Sequence, residues 1–327
     1  MNLIVFDMDG VLIDVSESYR ATVRQSAALF FDSARSAERL PDPLFPITDL
    51  ARVKQSGGLN NDWDLTYLVI NLLSTRLQIT DSTKNPDPWI RFRETIANCD
   101  VSPLVDFLET AEHPLATLLQ RHGRPEHPFV KSLYRGDVGS GNLIKQIFQE
   151  IYLGPQLFEA TYAFPPAMYT GEGFIHREKL LIDSALLSQL ADKHILAIAT
   201  GRPRDEAIYP LDLHGLRPYF RVVMTLDDCL AEQTRIHRAT GQNVSLSKPN
   251  PFMLDAIAIQ IGPGAGERYY VGDMPDDMLA ASRSRAGYTG IGQLLAAEDK
   301  ESLGNELRRA GAQHVVADFR ALKALIE

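Results

Sequence analysis

Four short clusters, far apart in the chain, carry side chains whose chemistry suits phosphate and metal. The first is Asp7-Met8-Asp9-Gly10-Val11-Leu12-Ile13-Asp14. Two carboxylates one residue apart can bind a divalent cation and divide labour: one attacks phosphorus, the other handles the leaving-group proton. A solvated acidic turn has the same composition, and this segment alone does not separate the two readings. Thr200-Gly201-Arg202-Pro203 offers a hydroxyl and backbone amides to a phosphoryl oxygen, as an ordinary capped turn also would. In Ser247-Lys248-Pro249-Asn250-Pro251 a lysine precedes a helix that Pro249 is suited to start. Its charge can offset a carboxylate and a bound phosphate, although a lone loop lysine is usually solvated. Gly272-Asp273-Met274-Pro275-Asp276-Asp277 completes the set. Asp273 and Asp277 share one face if a helix starts there, and hard carboxylate oxygens suit magnesium. The helix dipole also favours acids at an N-terminus without any metal.

What these clusters share is position. Leu3 to Phe6, Ile195 to Ala199, Val222 to Met224, Tyr269 to Val271 and His314 to Ala317 are short apolar runs, suited to strands buried on both faces. Three of the four clusters directly follow such runs, where an open α/β sheet binds its ligands. Between the late runs, apolar residues recur at helical spacing: Leu180, Leu181, Ala185, Leu186, Leu187 and Leu190, then Met253, Leu254, Ile257, Ala258 and Ile261. The alternation predicts a doubly wound parallel sheet with right-handed crossovers. The middle reads as helical throughout. Leu65, Leu68, Val69, Leu72 and Leu73 form a stripe with Asp62 as a plausible N-cap, and prolines at 41–46, 85–88 and 165–166 mark joints. The expected organisation is a discontinuous α/β core, residues 1–14 and 172–327, with a mainly α-helical domain, 15–171, inserted after the first strand.

Taken in order, Asp-x-Asp-Gly-Val, Thr-Gly, Lys-Pro and Gly-Asp-x-x-x-Asp resemble the four motifs of the haloacid dehalogenase superfamily. The insertion after the first motif resembles the helical cap of its phosphoglycolate phosphatase and β-phosphoglucomutase branch. The resemblance implies a Rossmann-like core and a magnesium-dependent phosphatase. It implies that Asp7 attacks phosphorus to give an aspartyl-phosphate. Asp9 would protonate the leaving oxygen, activate the hydrolytic water and lend its backbone carbonyl to the metal. Thr200 and Gly201 would hold the phosphoryl group and Lys248 neutralise it, with Asp7, Asp9, Asp273 and Asp277 forming the magnesium site. Phosphoryl transfer needs such a set, because a carboxylate approaches a phosphate dianion only when cations offset the repulsion. Asp9 sets the chain apart from the dehalogenases themselves, which lack this second acid because a departing halide needs no proton.

In similar capped phosphatases a cap loop selects the substrate. Lys54, Asn60 and Asn61, in the polar stretch around Gly57 and Gly58, are the corresponding candidates. Here too an interhelix turn with an asparagine cap is an equal reading, and Arg20 reads as a solvated helix arginine. The insertion is larger than that branch leads one to expect. A phosphosugar phosphomutase would share Asp7, Asp9 and the metal site. Phosphonatase chemistry would need an imine-forming lysine such as Lys54, and a silent binding protein would have no need of the acids at 7, 9, 273 and 277.

The bulk numbers set the frame. Of 327 residues, 45% are hydrophobic and 23% charged, the balance of a globular protein. A net charge of −9 argues against nucleic acid as a partner, while a small phosphorylated metabolite remains compatible through a local cluster of cations. Cys99 and Cys229 stand in unrelated contexts and read as reduced. No apolar run suits a signal peptide or a membrane span, which makes the cytoplasm the expected location.

Overall fold

A computed structural model describes residues 1–54, 61–81, 85–297 and 299–327, without the side chains of 51, 52 and 54. The chain forms two compact units, Met1–Val15 with Glu178–Glu327, and Ser16–Arg177.

Among its described residues the first unit contains eight strands: β1 (Leu3–Phe6), β2 (Ile13–Asp14), β3 (Lys179–Leu180), β4 (Ile195–Ala199), β5 (Phe220–Met224), β6 (Arg268–Gly272), β7 (Tyr288–Gln293) and β8 (His314–Val316). Six make one sheet in the order β5-β4-β1-β6-β7-β8, every pair parallel. All four residues of β1 are buried because each face of the sheet is covered. Ile4 and Phe6 pack with Leu187, Leu190, Phe319 and Leu322 on one side. Leu3 and Val5 pack with Met253, Leu254, Ile257 and Ala281 on the other. Successive side chains thus enter opposite cores, which is what a wholly apolar central strand requires.

All five expected apolar runs are strands, and β7 is a sixth that apolarity does not announce. Its sequence, Tyr-Thr-Gly-Ile-Gly-Gln, carries two glycines. The second makes room for a helix: a Cβ on Gly292 would lie 2.8 Å from Leu307 Cδ1. Pro249 does not open a helix, as its fixed φ had suggested. The helix is Phe252–Ile261, with Pro251 at its N-cap position. The short strands β2 and β3 pair antiparallel where the chain leaves the sheet unit and returns to it.

The second unit is helical, and among its described residues only isolated bridges occur outside helices and turns. The 65–73 stripe is buried within the helix Asp62–Ser74, but its N-cap is Asn61 rather than Asp62. Asn61 is extended and its side-chain oxygen accepts from Asp64 N, while Asp62 belongs to the first turn. Helices beginning at Pro88, Ser102, Pro114 and Pro128 each have proline in the first two positions, where its missing N–H costs nothing. Cys99 and Cys229 are both free and buried. Among the described residues no helix is long and apolar enough to cross a membrane.

Candidate active site

Strand register sets the site. Phe6 lies level with Ile198 of β4 and Val271 of β6, so the three strands end together and the residues beyond them emerge at one edge. The Asp7 amide continues the ladder by donating to Val271 O at 2.8 Å, and Thr200 N donates to Met224 O at 3.0 Å. Both candidate side chains therefore sit on backbone still held by the sheet. This is also where strand order reverses about β1, the crevice in which open α/β sheets place ligands.

Asp7, Asp273 and Asp277 each present a carboxylate oxygen to the others within 4.8 Å. Asp273 precedes the helix Pro275–Arg283, so it does not share a helical face with Asp277 as the spacing had suggested. The two converge because the strand end turns sharply into the helix. Gly10, with φ +71°, is what admits Asp273: a Cβ there would lie 2.0 Å from Asp273 Oδ2.

Lys248 bridges two of the acids, its Nζ 2.6 Å from Asp7 Oδ1 and 2.8 Å from Asp277 Oδ1. Asp277 also accepts from Tyr270 OH at 2.8 Å and Met274 N at 3.0 Å. Among the described residues, Asp273 Oδ1 is a buried atom with no hydrogen-bond partner. Burial pushes the Asp7 carboxyl up to about 7; Lys248 pulls it down, and Asp277 and Asp9 push it further up. Burial, then Asp277 and Asp7, hold Asp273 well above the usual carboxylate range. Burial by itself would lower Lys248, but Asp277 and Asp7 outweigh it and keep the ammonium charged. Three carboxylates, two of them buried and that of Asp273 half-buried, against one ammonium form a donor set that fits a hard divalent cation.

Asp9 points elsewhere. Its side chain lies outside the three-acid group, and Oδ1 accepts from Arg202 Nε at 2.6 Å. Thr200 is fully buried, its Oγ1 accepting from Arg202 N at 3.1 Å. A Cβ on Gly201 would meet nothing within 4 Å, so open space adjoins the turn that follows Thr200. Asp7, Thr200, Gly201, Lys248, Asp273 and Asp277 are thus gathered at the carboxyl edge, with Asp9 tied to Arg202 beside Thr200. Sequence reasoning included Arg202 and Tyr270 in its motifs and strand runs without giving either a role, and it missed Glu178. The available signal was an arginine two residues after a strand-end threonine.

Of the candidates in the inserted unit, Lys54 ends the helix Ile47–Lys54 with its side chain outside the described residues, and Asn60 lies outside them altogether. Asn61 is engaged at both ends of its amide, accepting from Asp64 N at 2.7 Å and donating to Asp64 Oδ2 at 2.7 Å. Arg20 falls in the first turn of the helix Tyr19–Phe31, half-buried.

A model of the haloacid dehalogenase-like hydrolases matches residues 1–285. Imidazoleglycerol-phosphate dehydratase of Phytophthora nicotianae is 23% identical over 322 residues, 96% of this chain but 49% of that protein. The chain thus spans about half the length of that relative. Pyrophosphatase PpaX of Bacillus pumilus (strain SAFR-032) is 27% identical over 162 residues, 45% of this chain and 67% of its own. A structural-genomics target solved by X-ray crystallography shares the fold with a TM-score of 0.68 at 23% identity, covering 100% of this chain and 98% of that one.

Proposed function

The chain belongs to the haloacid dehalogenase-like hydrolase family, and from that premise we propose that it is a magnesium-dependent phosphatase of small organic phosphate monoesters. The observation that carries this reading is the Asp7 carboxylate at the end of β1, with Lys248 at 2.6 Å and two further acids beside it, Asp277 buried and Asp273 half-buried. Asp7 attacks phosphorus in line with the leaving oxygen and becomes an aspartyl-phosphate. Asp9 gives its proton to that oxygen, then takes one from the water that attacks the same phosphorus and frees Asp7. Thr200 and Gly201 bind phosphoryl oxygens, the threonine hydroxyl by donating its hydrogen, and Lys248 offsets the charge that would otherwise keep Asp7 and the phosphate apart. Asp7, Asp273 and the backbone carbonyl of Asp9 would hold magnesium, with Asp277 supporting the site. When bound, magnesium supplies charge neutralisation and polarises the phosphoryl group.

In this reading the helical unit has the role of a cap domain, admitting substrate and excluding bulk water during the reaction. The substrate is a small phosphorylated metabolite rather than a nucleic acid or a membrane component, and the cytoplasm is the proposed location. The 27% identical pyrophosphatase adds pyrophosphate to the compounds to be tried.

Phosphate release from a panel of phosphosugars, pyrophosphate and an aryl phosphate, with and without magnesium, tests the proposal. Turnover should disappear on chelation and in Asp7→Asn. Full activity in that variant would remove Asp7 as nucleophile, and isomerised phosphosugar without free phosphate would make the chain a mutase.

A further inference from the structure

We propose that Arg202 is a positioning residue for Asp9, fixing one carboxylate oxygen so that the other meets the leaving oxygen; this rests on the acid–base reading of Asp9 given above. Arg202 is 2% exposed, and its nitrogens serve at least three separate acceptors. Nε donates to Asp9 Oδ1 at 2.6 Å. Nη1 and Nη2 take the two oxygens of Glu178 at 3.0 and 3.1 Å, and Nη1 also reaches the Glu206 carbonyl at 3.1 Å. The Arg202 amide donates to Thr200 Oγ1 at 3.1 Å, so the same residue is tied to the proposed phosphoryl-binding hydroxyl. A planar guanidinium held along three edges has no freedom to slide, unlike a lysine ammonium on its flexible stem.

Asp9 differs from its partners in being accessible. The side chains of Arg202 and Glu178 are each 1% exposed, whereas that of Asp9 is 35% exposed. One oxygen is pinned by a buried clamp, and enough surface remains for the carboxyl group to reach a substrate. Glu178 meets the guanidinium through two parallel hydrogen bonds, so a buried carboxylate holds the fork in place from the side away from Asp9 Oδ1.

The proton balance follows from that geometry. In the first half-reaction Asp9 Oδ2–H gives its proton to the leaving oxygen as the ester P–O bond breaks and the bond between Asp7 and phosphorus forms. In the second, the same oxygen takes a proton from water as the water oxygen attacks phosphorus and Asp7 departs. Both transfers need Oδ2 aimed at one place, which the bond from Arg202 Nε to Oδ1 provides.

The test exploits leaving-group basicity. Phenyl phosphate releases a phenolate about as basic as a tyrosinate and needs the proton; 2,4-dinitrophenyl phosphate releases a stable anion and does not. Asp9→Asn sets the scale, with kcat/KM for phenyl phosphate expected to fall about 100-fold or more and that for the dinitrophenyl ester far less. The double variant Arg202→Met, Glu178→Met removes both buried charges and orphans neither. It should shift the ratio of the two kcat/KM values in the same direction by roughly tenfold or more. Arg202→Lys, which keeps the charge and gives up the fork, is the second variant and carries the same expectation. Both substrates are assayed on one preparation, so a reduced folded fraction cancels in the ratio. Equal losses on both esters in the Arg202 variants, with Asp9→Asn still selective, would overturn the positioning role. Equal losses in Asp9→Asn would instead overturn the acid–base reading of Asp9.

Discussion

Lys248 serves two buried carboxylates at once, Asp7 at 2.6 Å and Asp277 at 2.8 Å, while Asp273 Oδ1 has no partner among the described residues. The shortage of positive charge has a consequence for stability. Burial raises Asp7 from an ordinary 3.8 to about 7, so between those values the folded, metal-free protein holds a proton that the unfolded chain releases. The stabilisation from that proton is complete below the unfolded value and is lost as pH rises through the folded one. Measured against Asp7→Asn, the Tm of the metal-free wild type is therefore expected to fall between about pH 4 and pH 7. Magnesium competes for the same oxygens, and its addition should restore Tm most at the upper end of this window, with a smaller effect in the variant. Thermal melts across the range at fixed ionic strength check both statements. A difference between the two proteins that does not change with pH would mean that Asp7 ionises without penalty.

At the scale of elements, Asn61 decides between two readings of one residue. Its amide closes the start of the helix Asp62–Ser74, and Asp64 in turn accepts from Tyr134 OH at 2.7 Å, linking that first turn to a distant part of the same unit. Asn61→Ala should cost about 1 kcal/mol in urea unfolding, whereas Asn61→Asp keeps the cap and should leave stability close to wild type. A raised KM in Asn61→Asp at unchanged stability would restore the substrate role. The same scale shows what the sequence makes legible. A strand covered on both faces advertises itself, which is why β1, β4 and β6, and with them Asp7, Thr200 and Asp273, are visible as residues alone. Strand β7 is hidden because its glycines yield their space to neighbouring helices. Arg202 and Glu178 are hidden for another reason: charged residues read as surface until their partner is known, and these two are 24 positions apart. Glu150 is a parallel case in the helical unit. It sits fully buried in the helix Leu143–Tyr162, where its carboxylate accepts from the backbone amides of Ala167, Met168 and Tyr169. Periodicity marks it only as an interruption of an apolar face.

On the scale of the molecule, the sheet unit is assembled from two stretches of chain separated by the whole helical unit. The junction is narrow. Asp14 pairs with Lys179 and Ile13 with Leu180 in an antiparallel ladder, so the chain leaves and returns through adjacent backbones. Ends held side by side mean that closing the insertion costs the sheet unit little, because loop-closure entropy grows only slowly with length. They also mean that a two-residue hairpin turn can replace the insertion, since antiparallel neighbours accept such turns without register change. The two core layers against β1 are built from residues of the sheet unit alone, among them Leu187, Leu322, Leu254 and Ala281. A chain in which Asn-Gly replaces residues 16–177 is therefore expected to unfold in a single cooperative transition. It should also keep a magnesium-dependent rise in Tm, because Asp7, Lys248, Asp273 and Asp277 all remain in place. Circular dichroism melts with and without the metal measure both properties. Loss of the cooperative transition would show that the sheet unit depends on its insertion to fold. A cooperative transition without response to magnesium would instead place part of the metal site in the helices.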